Sequence, residues 1–223
     1  MTLNKTTKNL VPVLLILSFT GFLTGKTPHY VSGLSPFFAD MVRVEAVVFS
    51  KAKDSRFVQE QIYEDRVRNR ISKVISKYYT GLDEKNDVRI PEWILIESKK
   101  YGYDPLFLTA LIITESSFYN WAKSNRGARG LMQLKPATAV VLASETSLKW
   151  KGTLTLFDPE KNIALGAYYL SKMVSRFGNL TLALEAYNYG PTRLSKYLRK
   201  GLKPKLYSRK VFKNYTEIRF QPI

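Results

Sequence analysis

The stretch Asp104-Pro105-Leu106-Phe107-Leu108-Thr109-Ala110-Leu111-Ile112-Ile113-Thr114-Glu115-Ser116-Ser117 decides how the chain reads. Asp followed by Pro is a strong helix start. The Asp side chain can accept from the free N–H groups of the first turn, and the fixed φ of Pro suits the first helical position. The helix so begun is expected to run to about Ser117. Leu108, Leu111 and Ile112 precede Glu115 by seven, four and three residues, so all four share one face. A carboxyl on an apolar face is costly to ionise, and its pKa should rise. An acid that keeps its proton near neutral pH is what protonation of a glycosidic leaving oxygen requires. The same spacing also fits an inert Glu at an exposed, frayed helix end.

Outward from this helix the punctuation repeats. Pro91 suits the first turn of a helix to about Tyr101, ended by Gly102. Residues 120–130 are a loop rich in Gly, Ser and Asn, and residues 131–143 read as mostly helical. Asp158-Pro159 repeats the start signal for a helix ending at Phe177-Gly178, and residues 180–188 form a short apolar helix closed by Gly190-Pro191. A last helix over 207–218 puts Tyr207, Val211, Phe212 and Tyr215 on one face. Upstream, Phe57, Val58, Ile62, Val67, Ile71, Val74, Ile75 and Tyr78 recur at helical steps within a charge-laced stretch. That pattern predicts an amphipathic helix ending near Gly81, with a polar linker over 81–88. Strand-like alternation is nearly absent, so the expected fold is all-α. The expected division is 1–33, an apolar leader; 34–88, a helical extension; and 89–223, the main domain.

Three motifs lie in the main domain. The first is Glu115-Ser116-Ser117-Phe118, followed by Ala122 and Ser124. The second is Gly127-Ala128-Arg129-Gly130-Leu131-Met132-Gln133-Leu134, with Pro136 and Thr138-Ala139. The third is Ala186-Tyr187-Asn188 with Gly190-Pro191, after Phe157-Asp158-Pro159-Glu160, Asn162-Ile163, Gly166, Tyr169-Leu170 and Phe177. In this order they resemble the lytic transglycosylase domain of the soluble-lytic-transglycosylase (SLT) type, which is lysozyme-like and akin to goose lysozyme. The resemblance covers roughly residues 89–219. It implies that Glu115 is a single catalytic acid and base. It implies that Ser116 and Ser124 line the site, and that Met132 and Gln133 form the groove wall, with the Gln amide on sugar substituents. Tyr187 and Asn188 match the aromatic and amide opposite the Glu, and the Gly-Ala-Arg-Gly loop lets backbone approach a glycan. Read only as residues, Leu131, Met132 and Tyr187 also fit core packing, and Gln133 and Asn188 fit helix-end capping. Tyr189 departs from the family, which usually has a small residue there.

Most glycosidases use two carboxylates. Downstream of Glu115, Glu145 lies in no motif, and Asp158 and Glu160 sit at a helix start where capping explains them. The resemblance implies a one-carboxylate reaction on peptidoglycan. Glu115 protonates the β-1,4 oxygen between N-acetylmuramic acid and N-acetylglucosamine, and the 6-hydroxyl closes to a 1,6-anhydro end without water. The alternatives are a goose-type lysozyme, which hydrolyses, and a non-catalytic peptidoglycan-binding module.

Composition narrows the rest. The chain has 223 residues, of which 45% are hydrophobic and 24% charged, within the globular range. It has no cysteine and one histidine, His29, outside any motif. Thiolate zinc sites, a His-rich metal site and a Ser-His-Asp triad are thereby disfavoured, and neither metal nor cofactor is expected. The net charge is +17, and residues 193–223 carry ten basic residues against one acidic. Such a balance points to an anionic partner. No nucleic-acid recognition motif accompanies it, and an acidic wall polymer explains it equally well. Residues 10–23 are apolar apart from Ser18, Thr20 and Gly21, and Lys5 and Lys8 precede them. This pattern predicts export to the periplasm or envelope. The segment is either cleaved, with Val31-Ser32-Gly33 as the small-residue site, or kept as an inner-membrane anchor. A buried first helix is the alternative.

Overall fold

Helix starts in the folded chain follow its Asp and Pro punctuation. The structure is a computed structural model that describes residues 36–220. The helices are α1 (Pro36–Ile75), α2 (Glu84–Asp87), α3 (Ile90–Tyr101), α4 (Pro105–Ser116), α5 (Pro136–Glu145), α6 (Pro159–Phe177), α7 (Leu180–Tyr189), α8 (Pro191–Arg199) and α9 (Leu206–Phe220). A short 3-10 helix, Thr153–Phe157, precedes α6. The side chains of Asp104, Asp158 and Asn179 accept from Leu106 N (2.8 Å), Lys161 N (3.1 Å) and Leu182 N (3.1 Å), capping α4, α6 and α7. The expected all-α architecture is observed. Among the described residues the only β pairing is two isolated bridges, Lys123 with Arg129 and Arg129 with Leu134.

The chain divides into two units, Met1–Ile62 and Tyr63–Ile223. In the first, the apolar side chains of Val48, Phe49, Phe57, Val58 and Ile62 are exposed. In the second, Val67, Ile71, Val74 and Ile75 belong to the core. The periodic pattern upstream of Gly81 therefore spans both units, and its second half packs within the main unit. The expected linker over 81–88 contains α2, and the segment before it is tied down. Asn120 N donates to Thr80 O (2.8 Å), and Trp121 Nε1 donates to Gly81 O (2.8 Å).

The main unit is built around α4, whose residues from Pro105 to Ile112 are all buried. A helix apolar on every side is a core helix. α9 and α3 pack against it; α3 also packs on α6, α6 on α7, and α7 on α8 and α9. Two boundaries differ from expectation. The helix expected over 131–143 starts only at Pro136, because Gln133 takes a left-handed φ of 47° and Arg129 pairs with Leu134. Beyond Gly190, Pro191 opens α8 as its first residue instead of closing the helical run. The apolar leader over 10–23 lies outside the described residues. No helix among those described is long and apolar enough to cross a membrane.

Candidate active site

Glu115 occupies the last turn of α4, just where the buried helix meets the surface. It is half-buried, and the Tyr207 hydroxyl on α9 donates to its Oε1. Burial pushes the Glu115 carboxyl up to about 7, against the opposing pull of the Tyr207 hydrogen bond and the Lys210 charge. Burial also raises the Tyr207 and Tyr187 hydroxyls above the ordinary tyrosine range, and the neighbouring Glu115 adds to this in both. Both phenols therefore stay protonated, so Tyr207 can donate to the ionised carboxyl, while Tyr187 donates to Met132 O. At about 7 the carboxyl is divided between acid and base near neutral pH, the condition for one group to give a proton and later take one.

α9 is fastened along the length of α4. Asn214 Nδ2 donates to Thr114 Oγ1 (2.9 Å), and Tyr215 OH donates to Asp104 Oδ2 (2.7 Å), which also pairs with Arg219. The loop after α4 begins with two left-handed residues, Ser117 (φ 50°) and Phe118 (φ 61°). Non-glycine residues reach this region at a cost. Here the fully buried Phe118 ring and the Ser116 Oγ bond to Leu131 O (2.8 Å) hold the turn.

That bond brings the second motif alongside the first. Asn162 Oδ1 accepts from Met132 N (2.7 Å), while its Nδ2 donates to Leu156 O (2.8 Å) and Arg129 O (3.2 Å). Tyr187 OH donates to Met132 O (2.8 Å). Both backbone groups of Met132 are thus held, and its side chain lies against Gly166, where a Cβ would come within 2.4 Å of Sδ. Gly130 (φ 79°) is required by its own chain, since a Cβ there would meet Leu156 O at 2.1 Å and Asn162 Nδ2 at 2.3 Å. Gln133 Nε2 donates to Gly130 O (2.9 Å) and Ala122 O (3.2 Å), so its amide shapes the loop. Ser124 is exposed in a turn, where Oγ accepts from Ala128 N (3.0 Å). Asn188 is exposed at the end of α7. The structure ties Ser116 to Leu131, Met132 to Tyr187 and Asn162, and Gln133 to Gly130, while Glu115 bonds Tyr207 and Ser124 and Asn188 stand apart at the surface.

Residues 92–207 match the family model of the transglycosylase SLT domain. The chain belongs to this family. The SLT domain match runs from α3 to the first residues of α9, the very Tyr that touches Glu115. The transglycosylase of Enterobacteria phage PRD1 is 38% identical over 123 residues, which cover 55% of this chain and 42% of that one. The membrane-bound lytic murein transglycosylase F of Desulfosudis oleivorans is 31% identical over 154 residues, 59% of this chain and 32% of that one. Among solved structures, the 70 kDa soluble lytic transglycosylase SLT70 from Escherichia coli matches with a TM-score of 0.53 and 26% identity, over 58% of this chain and 24% of that one. The chain spans less than half the length of these relatives.

Sequence reasoning missed several residues that build this SLT domain site. Tyr207 was visible on the apolar face of the last helix, but nothing local assigns it to Glu115. Glu185 was overlooked, although it stands among Ala183, Leu184 and Ala186 in an apolar helix. It is fully buried, and its Oε1 accepts from Ser208 N (2.8 Å) and Ser208 Oγ (2.8 Å). Asn162 carried only a motif match, and it bonds Met132 N, Arg129 O and Leu156 O at once.

Proposed function

We propose that this SLT domain cleaves peptidoglycan strands without water, as a lytic transglycosylase, with Glu115 as its acid and base. The observation that carries the reading is a half-buried carboxyl raised to about 7 and held by a tyrosine hydroxyl. Protonated Glu115 gives its proton to the oxygen linking C1 of N-acetylmuramic acid to O4 of N-acetylglucosamine, and that bond breaks. The 2-acetamido group stabilises the cationic C1. The Glu115 carboxylate, still hydrogen-bonded by Tyr207, removes the proton of the 6-hydroxyl on the same sugar. O6 closes on C1, and Glu115 regains the proton it gave. The 6-hydroxyl has the advantage of proximity, since well-oriented internal groups reach effective molarities of about 10⁵–10⁸ M.

Hydrolysis needs a second carboxyl about 5–5.5 Å away in a retaining enzyme, or about 6.5–9.5 Å away with room for water in an inverting one. Glu145 is exposed and paired with Lys172, and Asp158 caps α6 and bonds Lys161. Glu160 is exposed in the first turn of α6, and Glu185 is sealed against Ser208. Glu145, Asp158 and Glu185 are thus each engaged by another side chain, which supports transglycosylation over a lysozyme-type reaction. Site in the envelope, reached through an export signal or anchor over residues 10–23, follows from the substrate. Digestion of purified peptidoglycan tests the reaction. The released muropeptides are expected to end in anhydro-muramic acid, one water lighter than hydrolysis products and resistant to borohydride. Mainly reducible fragments would overturn it. Glu115→Gln is expected to abolish release while the protein still folds and binds glycan; near-normal release would remove Glu115 from its role.

A further inference from the structure

The mechanism above leaves two buried acids unused, Glu97 and Glu185, and only Glu185 bonds the helix that carries Tyr207. Glu185 lies on α7, fully buried. Ser208, the residue after Tyr207, gives it both a backbone N–H and a hydroxyl, each at 2.8 Å to Oε1. Its other oxygen, Oε2, has no protein partner. A buried carboxyl is a costly way to fasten two helices, and apolar packing would hold α7 to α9 at less expense. What the carboxyl supplies is directional. By taking the Ser208 N–H in the first turn of α9, where backbone donors lack helical partners, it fixes the angle at which that helix begins. The residue so fixed is next to Tyr207, whose hydroxyl must reach Glu115 Oε1 on α4.

We infer that Glu185 is a positioning residue that, through Ser208, holds the Tyr207 hydroxyl on Glu115. The inference rests on the reading of Glu115 as the acid, but its test does not. Glu115 is faced by Tyr207 and Lys210 from α9 and by Tyr187 from α7, and Tyr207 is faced by Glu115, Tyr187 and Glu185. The hydrogen bond from Tyr207 lowers the Glu115 pKa, because it favours the charged form. Loss of that bond must therefore raise it. Loss of a negative charge on Glu185, if charge were its contribution, must instead lower it.

The experiment is a carboxyl-carbon NMR titration of Glu115 in the full chain, with a cleavage assay at fixed pH beside it. Glu185→Ala and Tyr207→Phe are each expected to raise the Glu115 pKa above about 7 and to cut kcat on the order of tenfold with little change in KM. The double variant is expected to go no further than either single one, since both remove the same bond. Glu185→Gln keeps an oxygen for Ser208, and the Glu115 titration is expected to return to that of the wild type. An unmoved titration in Glu185→Ala, additive shifts in the double variant, or a fall in the Glu115 pKa in both Glu185→Ala and Glu185→Gln would each overturn the inference. Should Glu185→Ala not fold, Glu185→Asp draws the carboxyl back by one methylene from both Ser208 donors and is read the same way: a rise supports the inference and an unmoved titration overturns it. If the titrations behave as expected while Glu115→Gln still cleaves, the positioning role stands and the reading of Glu115 as the acid falls.

Discussion

A carboxyl that titrates at about 7 in the folded chain, against an ordinary 4.5, favours folding only while it holds its proton. That contribution is complete below about pH 4.5 and is lost as pH rises through 7. Glu115→Gln removes the titration. The variant is expected to melt a few degrees above the wild type at pH 8, on the order of 2–3 kcal/mol after allowance for partial exposure. At pH 4 the two should coincide. Calorimetry at both pH values checks this, and a wild type that gains stability from pH 5 to pH 8 relative to the variant would contradict the raised pKa. Cleavage by the wild type should fall along the same limb, with a midpoint near 7. Glu115 was legible because its apolar neighbours lie within two helical turns. Its partner was not, because Tyr207 is 92 residues away and a local pattern cannot say which distant helix face will meet it. Glu185 differs again: its apolar setting was readable, but its bonds to Ser208 depend on how α7 and α9 cross.

At the level of elements, Asp-Pro starts and Gly stops located α3, α4 and α6 well, since capping is local chemistry. Residues 131–135 were misread as helix. Their apolar run looks helical, yet Asn162, 30 residues away, claims the Met132 N–H, and the close approach of Asn162 and Leu156 to Gly130 excludes a regular helix there. This contact sets the next expectation. Gly130→Ala places a Cβ at a φ of 79° and against the Leu156 carbonyl, a backbone atom that cannot turn aside. A loss of about 3 kcal/mol or more is expected, read as a lower urea midpoint with an unchanged slope. Asn162→Leu, which strands the Met132 N–H and takes the side-chain donor from Leu156 O, should cost a similar amount, about 3–5 kcal/mol. The two effects should not add, because both variants break the same junction.

For the whole molecule, the compact main unit takes in the residues from Tyr63 onward. Val67, Ile71, Val74 and Ile75 lie in the core of the main unit, and burial of such side chains is worth about 1.5–3 kcal/mol each. A chain starting at Tyr63 should therefore melt cooperatively. One starting at Arg89 loses about 6–12 kcal/mol, comparable with the whole stability of an ordinary domain, and should not. Circular dichroism melts of the two separate these outcomes. The basic stretch 193–223, ten positive residues against one negative, should hold the protein to insoluble wall material by screened attraction. Release is expected as salt rises from 0.1 M toward 1 M and the Debye length shrinks from about 10 Å to about 3 Å. The bond between Tyr207 and Glu115 also sets a clock. A ribosome adding about 5–20 residues per second makes Glu115 roughly 5–20 s before the tyrosine that tunes it. Throughout that interval the nascent chain carries an ordinary carboxyl at the end of an unfinished helix pair. On the proposed reading of Glu115, its pairing with Tyr207 is completed only after translation has passed the start of α9, a delay written into chain order alone.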